Sequence, residues 1–161
     1  MKSMRRKEKE IQDKSKIIEI LKITKYLTIA MCKDNIPYLV TLTRGYDSKR
    51  NSIYFHCAKE GKKIDILKEN NVVWGQALID NGYVEGKCDH LYATAQFMGT
   101  VTFICDQKEK QHALDTMIRQ QEKVPEKVIK KQMTEEAVNK VNIGRIDIMY
   151  LSGKKSDKVS I

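Results

Sequence analysis

The run His56-Cys57-Ala58-Lys59-Glu60-Gly61-Lys62-Lys63 gathers the residue types that hold a phosphate. It passes from a strand end through a turn into a helix start, where unpaired backbone N–H groups and the helix dipole favour an anion. Lysine supplies counter-charge, and glycine lets the backbone come close. A second reading of the same run is a solvated helix cap with its lysines facing water. His56, alone near a strand end, reads by default as a hydrogen-bonded structural residue, and is also the first candidate for proton delivery.

Other reactive side chains are scattered. Cys32, Cys57, Cys88 and Cys105 form no Cys-x-x-Cys pair, so neither a redox dithiol nor a structural zinc site is expected. Cys88-Asp89-His90 offers two metal ligands, too few for zinc, and is expected as an interface or pocket-rim loop. Cys32 and Cys105 sit in apolar runs and are expected to be inert buried thiols. Trp74 is expected in core or dimer packing.

These residues need a scaffold. From Glu8 to Thr24, Ile11, Ile17, Ile18 and Leu21 repeat at helical spacing and predict an amphipathic opening helix. Tyr26–Lys33 and Ile36–Tyr46 are rich in β-branched and aromatic residues and are joined by Lys33-Asp34-Asn35, a hairpin signature. Ser52–Cys57 alternates, with Ile53 and Phe55 on one face and Tyr54 and His56 on the other. Gly61–Glu69 is a short helix turning Ile64 and Leu67 inward. Val72–Ile79 and Ala93–Cys105 are strands separated by a polar stretch, Asp80–Asp89. Ala113, Leu114, Met117, Ile118 and Gln121 mark a helix closed by Val124-Pro125, and Val141–Leu151 is a last strand. Hairpins dominate this order, so it predicts a mainly β fold, an antiparallel barrel with peripheral helices.

With 161 residues, 41% hydrophobic and 32% charged, the chain has the makings of one globular domain. The division expected is a helix over 1–25 packed on the barrel, the barrel over 26–155, and a flexible tail over 156–161. The formal charge of +9 is concentrated at the ends, with residues 1–25 at net +5 and residues 151–161 at net +2. That distribution suits solvated termini better than a nucleic-acid stripe. A basic N-terminus using Lys2, Arg5, Arg6, Lys7 and Lys9 lacks the interleaved aromatics of a nucleic-acid binder. No run approaches the ~18 apolar residues of a membrane span, and the charged N-terminus has no signal-peptide core, so a cytoplasmic protein without membrane contact is expected.

Pro37-Tyr38-Leu39-Val40-Thr41-Leu42-Thr43-Arg44-Gly45-Tyr46-Asp47, followed by Ile53 to Leu67, resembles the pyridoxamine phosphate oxidase-like family, and within it the nitroimidazole-resistance branch. Tyr92–Thr100 and Ile146–Lys154 are similar to the branch's long strand and its closing strand. The resemblance implies a Greek-key-like split β-barrel that forms a homodimer, with FMN in each of two clefts lined by both protomers. On matching positions, Val40, Thr41 and Leu42 would face the isoalloxazine ring. Phe55, His56 and Cys57 would lie along the ribityl chain and ring edge, Lys62 and Lys63 would hold the phosphate, and Thr94 would reach the flavin from the partner. Haem on His56, or a deazaflavin, is the alternative cofactor that relatives of this fold suggest. Thr41 stands where the branch carries a second proline and Gln96 where it carries an apolar residue, which alters the pocket beside the ring. The implied activity is a flavin-dependent oxidoreductase passing electrons from a reduced nicotinamide to a small-molecule acceptor, with a non-catalytic flavin- or haem-binding module as its rival.

Overall fold

The computed structural model describes residues 4–161; Lys2 of the basic N-terminus lies outside them. Seven antiparallel strands form one curled, unclosed sheet, a split barrel, in the order β2-β1-β5-β6-β7-β4-β3. The strands are β1 (Tyr26–Lys33), β2 (Ile36–Thr43), β3 (Gly45–Asp47), β4 (Ser52–Cys57), β5 (Val72–Val84), β6 (Asp89–Phe103) and β7 (Asn142–Lys155). Among the described residues five α-helices surround it: α1 (Lys14–Ile23), α2 (Lys62–Glu69), α3 (Gln107–Gln121), α4 (Pro125–Gln132) and α5 (Glu135–Lys140).

Local chemistry sets the boundaries. Asp34 and Asn35, both at positive φ, make the tight turn between β1 and β2. The opening helix begins at Lys14 rather than near Glu8 because the Asp13 side chain accepts from the Ser15 N–H and fixes the first turn there. On α1, Ile17, Ile20 and Leu21 are buried against the barrel. The barrel interior is filled by Leu27, Ile29, Ile53, Phe55, Phe97 and Ile146, each at most 2% exposed.

Several expectations are corrected. Ile36–Tyr46 is not one strand: the chain breaks at Arg44 and resumes as β3, which pairs with β4 instead of β1. Side chains of α3 hold the break. Gln120 accepts from Tyr46 N and donates to Tyr46 O, and Gln121 donates to the carbonyls of Lys25 and Arg44. The polar stretch Asp80–Asp89 is not a loop but the outer half of a long β5–β6 hairpin, bulged between Asp80 and Tyr83. Polarity misleads there because hairpin arms that leave the barrel have no apolar face to bury. Pro125 does not close a helix; it starts α4, where the missing N–H costs nothing. Residues 156–161 fold back rather than trail: Val159 is 3% exposed within the core cluster, and the Ser156 hydroxyl receives Tyr92 N–H.

Strand β4 is buried on both faces. Ile53 and Phe55 enter the barrel, while Tyr54 packs with Ala113, Met117 and Ile143 under α3. Only its end, His56 and Cys57, reaches solvent.

Candidate flavin cleft

Strand β2 is one edge of the open sheet, and the end of β4 lies close to it across the split. Helix α2 starts just beyond β4. Gly61, at φ 121°, turns the chain into the helix, and no side chain caps the first N–H groups. Lys62 lies over the Tyr38 ring of β2, its Nζ 4.5 Å from the ring centroid, and Lys63 lies over Phe55 at 5.6 Å. Both ammonium groups are thus laid across the mouth of the split. Among the described residues neither pairs with a carboxylate. Uncapped donors and two uncompensated cations converge there, which is an anion-binding arrangement.

Cys57 stands half-buried beside this start. Its sulfur accepts from Asn142 Nδ2 at 3.5 Å, and the same nitrogen donates to Ala58 O at 3.2 Å. Burial pushes the Cys57 thiol up, against the Lys63 charge and the Asn142 hydrogen bond. Phe55 is wholly buried, with its ring beneath Lys63. On β2 the side chains of Val40 and Leu42 pack into the barrel, while Thr41 is exposed on the outer face and shares a hydrogen bond with Thr28 at 3.1 Å. His56 alternates away from Phe55 and stands in the wall of a separate cavity of about 390 Å³ under α3, α4 and α5.

The sequence profile of the family described as pyridoxamine 5'-phosphate oxidase matches residues 13–155. The chain belongs to that family. Solved structures similar to this chain share its fold over nearly its whole length. A candidate 5-nitroimidazole antibiotic resistance protein from Bacteroides thetaiotaomicron is 28% identical, covers 90% of this chain and 85% of its own, and superposes with a TM-score of 0.77. The flavocytochrome Anf3 from Azotobacter vinelandii is 13% identical, covers 99% of this chain and 74% of its own, and gives 0.80. The FAD and heme binding protein from Mycobacterium smegmatis is 15% identical, covers 95% and 76%, and gives 0.76. No curated protein matches the sequence.

Of the residues that the resemblance implies, Cys57, Lys62 and Lys63 lie at the mouth beside the β2 edge of Val40 to Leu42, whereas His56 faces the separate cavity and Thr94 is not brought there. That residue is buried on the outer side of β6, its hydroxyl donating to Lys154 O at 3.3 Å, away from the barrel interior that holds Phe55. Beyond the Thr94–Lys154 row, two rows of the outer face carry no charge. Thr41, Thr28, Gln76, Gln96 and Ser152 stand in register across five strands, with Gln96 donating to Gln76 at 2.9 Å. The next row is Leu39, Ala30, Trp74, Met98 and Tyr150. Trp74 is not in the core: it is 41% exposed and edge-on to Tyr150, with ring centroids 5.8 Å apart.

Further expectations change. Cys105 is exposed in the loop before α3 and Cys32 half-buried, so neither is a sealed thiol. Cys88 is exposed at the hairpin tip, and His90 pairs with Asp80 at 2.7 Å. Among the described residues no three His, Cys, Asp or Glu side chains converge on a metal position, and no helix is long and apolar enough to cross a membrane.

Arg44 is the residue that sequence reasoning missed. Its side chain is wholly buried, donating to Gln120 Oε1 at 2.7 Å and to the carbonyl and hydroxyl of Thr24 at the C-terminal end of α1. Among the described residues its Nε finds no acceptor and no carboxylate faces it. Burial pushes its pKa down to about 10. The negative end of the α1 dipole is the partner that makes the buried cation tolerable. An arginine interrupting the apolar alternation of β2 was the available signal.

Proposed function

We propose that this chain binds FMN at the β2–β4 mouth and is a flavin-dependent oxidoreductase, reducing a small organic acceptor with electrons from a reduced nicotinamide. The observation that carries the reading is the uncapped start of α2 with Lys62 and Lys63 laid unpaired across the mouth, which suits the FMN phosphate. The free edge of β2 offers backbone groups to the ring at Val40, Thr41 and Leu42. The rings of Tyr38 and Phe55 hold the two lysine ammonium groups in place. A bound flavin supplies the two-electron chemistry; the chain binds, orients and shields it. His56, at the end of β4, is the first candidate to deliver a proton to the acceptor.

The reading includes a cytoplasmic homodimer. Its support is the outer sheet face, where Leu39, Trp74 and Leu78 are 62%, 41% and 49% exposed and the rows between them carry no charge. A second copy against this face would bring Thr94 towards the partner's flavin.

The test is an absorption spectrum of purified protein with and without FMN, then a fluorescence titration of a Lys62→Ala, Lys63→Ala double variant. Wild-type protein should show the bands of bound flavin. The variant should bind FMN weaker by about one to two orders of magnitude per lost charge-assisted contact. Protein that ignores FMN would overturn the reading, and a Soret band would assign haem to the His56 cavity instead.

A further inference from the structure

The cavity under α3, α4 and α5 has two unlike sides. Thr43, Arg44 and His56 line it from the barrel, and Met117, Val128 and Met133 from the helices and their connection. At about 390 Å³ it is of small-molecule size. Among the described residues its one carboxylate is Glu122, which follows α3 and is exposed to water. Of the lining amides, Gln121 already donates to the carbonyls of Lys25 and Arg44. Helix α4 covers the cavity with no fully buried residue of its own, and a cover with so little packing opens at small cost.

Arg44 decides the chemistry. Its side chain is wholly buried, and with a pKa of about 10 it stays charged at neutral pH. Every acceptor it reaches is neutral: Gln120 Oε1 and the carbonyl and hydroxyl of Thr24. Among the described residues its Nε meets no acceptor, and no carboxylate lies within ion-pair distance. The C-terminal end of α1 answers only about half of a unit charge, and a buried cation short of counter-charge is costly. We propose that this cavity binds a small apolar monocarboxylate, with its headgroup on the barrel side beside Arg44 and its tail among the methionine and aliphatic side chains of the helical side. The headgroup brings the missing counter-charge into a site shielded from water, where the attraction acts without direct contact. Methionine walls fit tails of different shape. A neutral ligand leaves the cation uncompensated, and a dianion carries more charge than one guanidinium answers. The assignment goes beyond the flavin reading and does not depend on it, since the cavity is separate from the mouth that Lys62 and Lys63 cover.

Octanoate is the probe, with octanol as its neutral counterpart. Each is titrated calorimetrically into the full chain, with and without FMN, at about pH 7.5, where a carboxylic acid is ionised. Octanoate should saturate one site per chain, bind at least about tenfold tighter than octanol, and raise the melting temperature as its concentration grows. Ala137→Trp, at an exposed position lining the cavity, takes the space of the tail and should weaken octanoate at least about tenfold, with FMN affinity unchanged. Arg44→Met removes the charge and should abolish the preference for octanoate over octanol. If that variant does not fold, the octanol comparison and Ala137→Trp decide the matter without it. The Lys62→Ala, Lys63→Ala double variant should bind octanoate as the wild type does. No saturable octanoate binding, equal affinity for octanol, octanoate affinity untouched by Ala137→Trp, a preference that survives Arg44→Met, or octanoate lost with the two lysines would each overturn the assignment. Failure of FMN to bind overturns the flavin reading alone.

Discussion

Cys57 joins the barrel to the cleft. Its thiol is half-buried, receives Asn142 Nδ2 and faces the Lys63 charge, and burial is the largest influence on it, raising its pKa. A thiol that ionises less and is less accessible reacts more slowly. Three of the cysteines should therefore label in order: Cys88 and Cys105, both exposed, first, and Cys57 after them. Timed alkylation at about pH 8, where a free thiol is partly ionised, followed by peptide mass spectrometry, reads that order. Adding FMN should slow Cys57 further and leave Cys88 unchanged. If Cys57 labels as fast as Cys88, the close packing around its sulfur is wrong.

At the scale of elements, β4 couples the sheet to its helices, and its two faces test separately. On the barrel side the Phe55 ring occupies the space that a Cβ on Gly144 of β7 would need, 2.3 Å from Phe55 Cζ. Gly144→Ala should destabilise the fold by about 1–3 kcal/mol through overpacking. Phe55→Leu added to it should recover part of that loss, a coupling that denaturant unfolding of the wild type and the three variants in the cycle measures. On the helix side Asp47 of β3 accepts from the N–H groups of Lys49 and Arg50 and pairs with His112 of α3 at 2.7 Å. Burial works to raise the pKa of Asp47, but these contacts outweigh it and the net shift is downward. A carboxylate lowered in the folded state contributes stability that is complete above its unfolded pKa and lost as pH falls through the folded one. The melting temperature should drop on acidification below about pH 4, and Asp47→Asn should flatten that slope. What the sequence revealed divides along the same lines. Strands β1 and β4, the turn at Asp34-Asn35 and the inward faces of α2 were legible because each rests on local alternation or turn chemistry. The break at Arg44 and the long β5–β6 hairpin were not. The first depends on Gln120 and Gln121, more than seventy residues away, and the second on strands that leave the core and keep no apolar pattern. In the cleft, the lysines and glycine announced themselves by type. That His56 looks away from Phe55 follows from alternation, but the cavity it meets is made by helices whose placement no local pattern contains.

Over the whole molecule, the unusual feature is two adjacent rows of a sheet face left without charge in a chain that is 32% charged. Leu39, Ala30, Trp74, Met98 and Tyr150 make one row and Thr41, Thr28, Gln76, Gln96 and Ser152 the next. Large apolar side chains there are more exposed than a monomer's surface needs, and the hydroxyls and amides beside them can satisfy one another across a two-fold axis without a buried charge. Light scattering on the eluting protein should give twice the 18.7 kDa chain mass. A Trp74→Glu, Gln76→Glu double variant places like charges on both copies of the face and should elute as a monomer. Its barrel should still melt cooperatively, because both side chains lie outside the core. If each cleft is completed by Thr94 of the other copy, the monomer should also bind FMN more weakly than Thr94→Ala, which loses one contact but keeps the interface. A monomeric variant with undiminished FMN affinity would place the whole cleft within one chain and remove the partner from it.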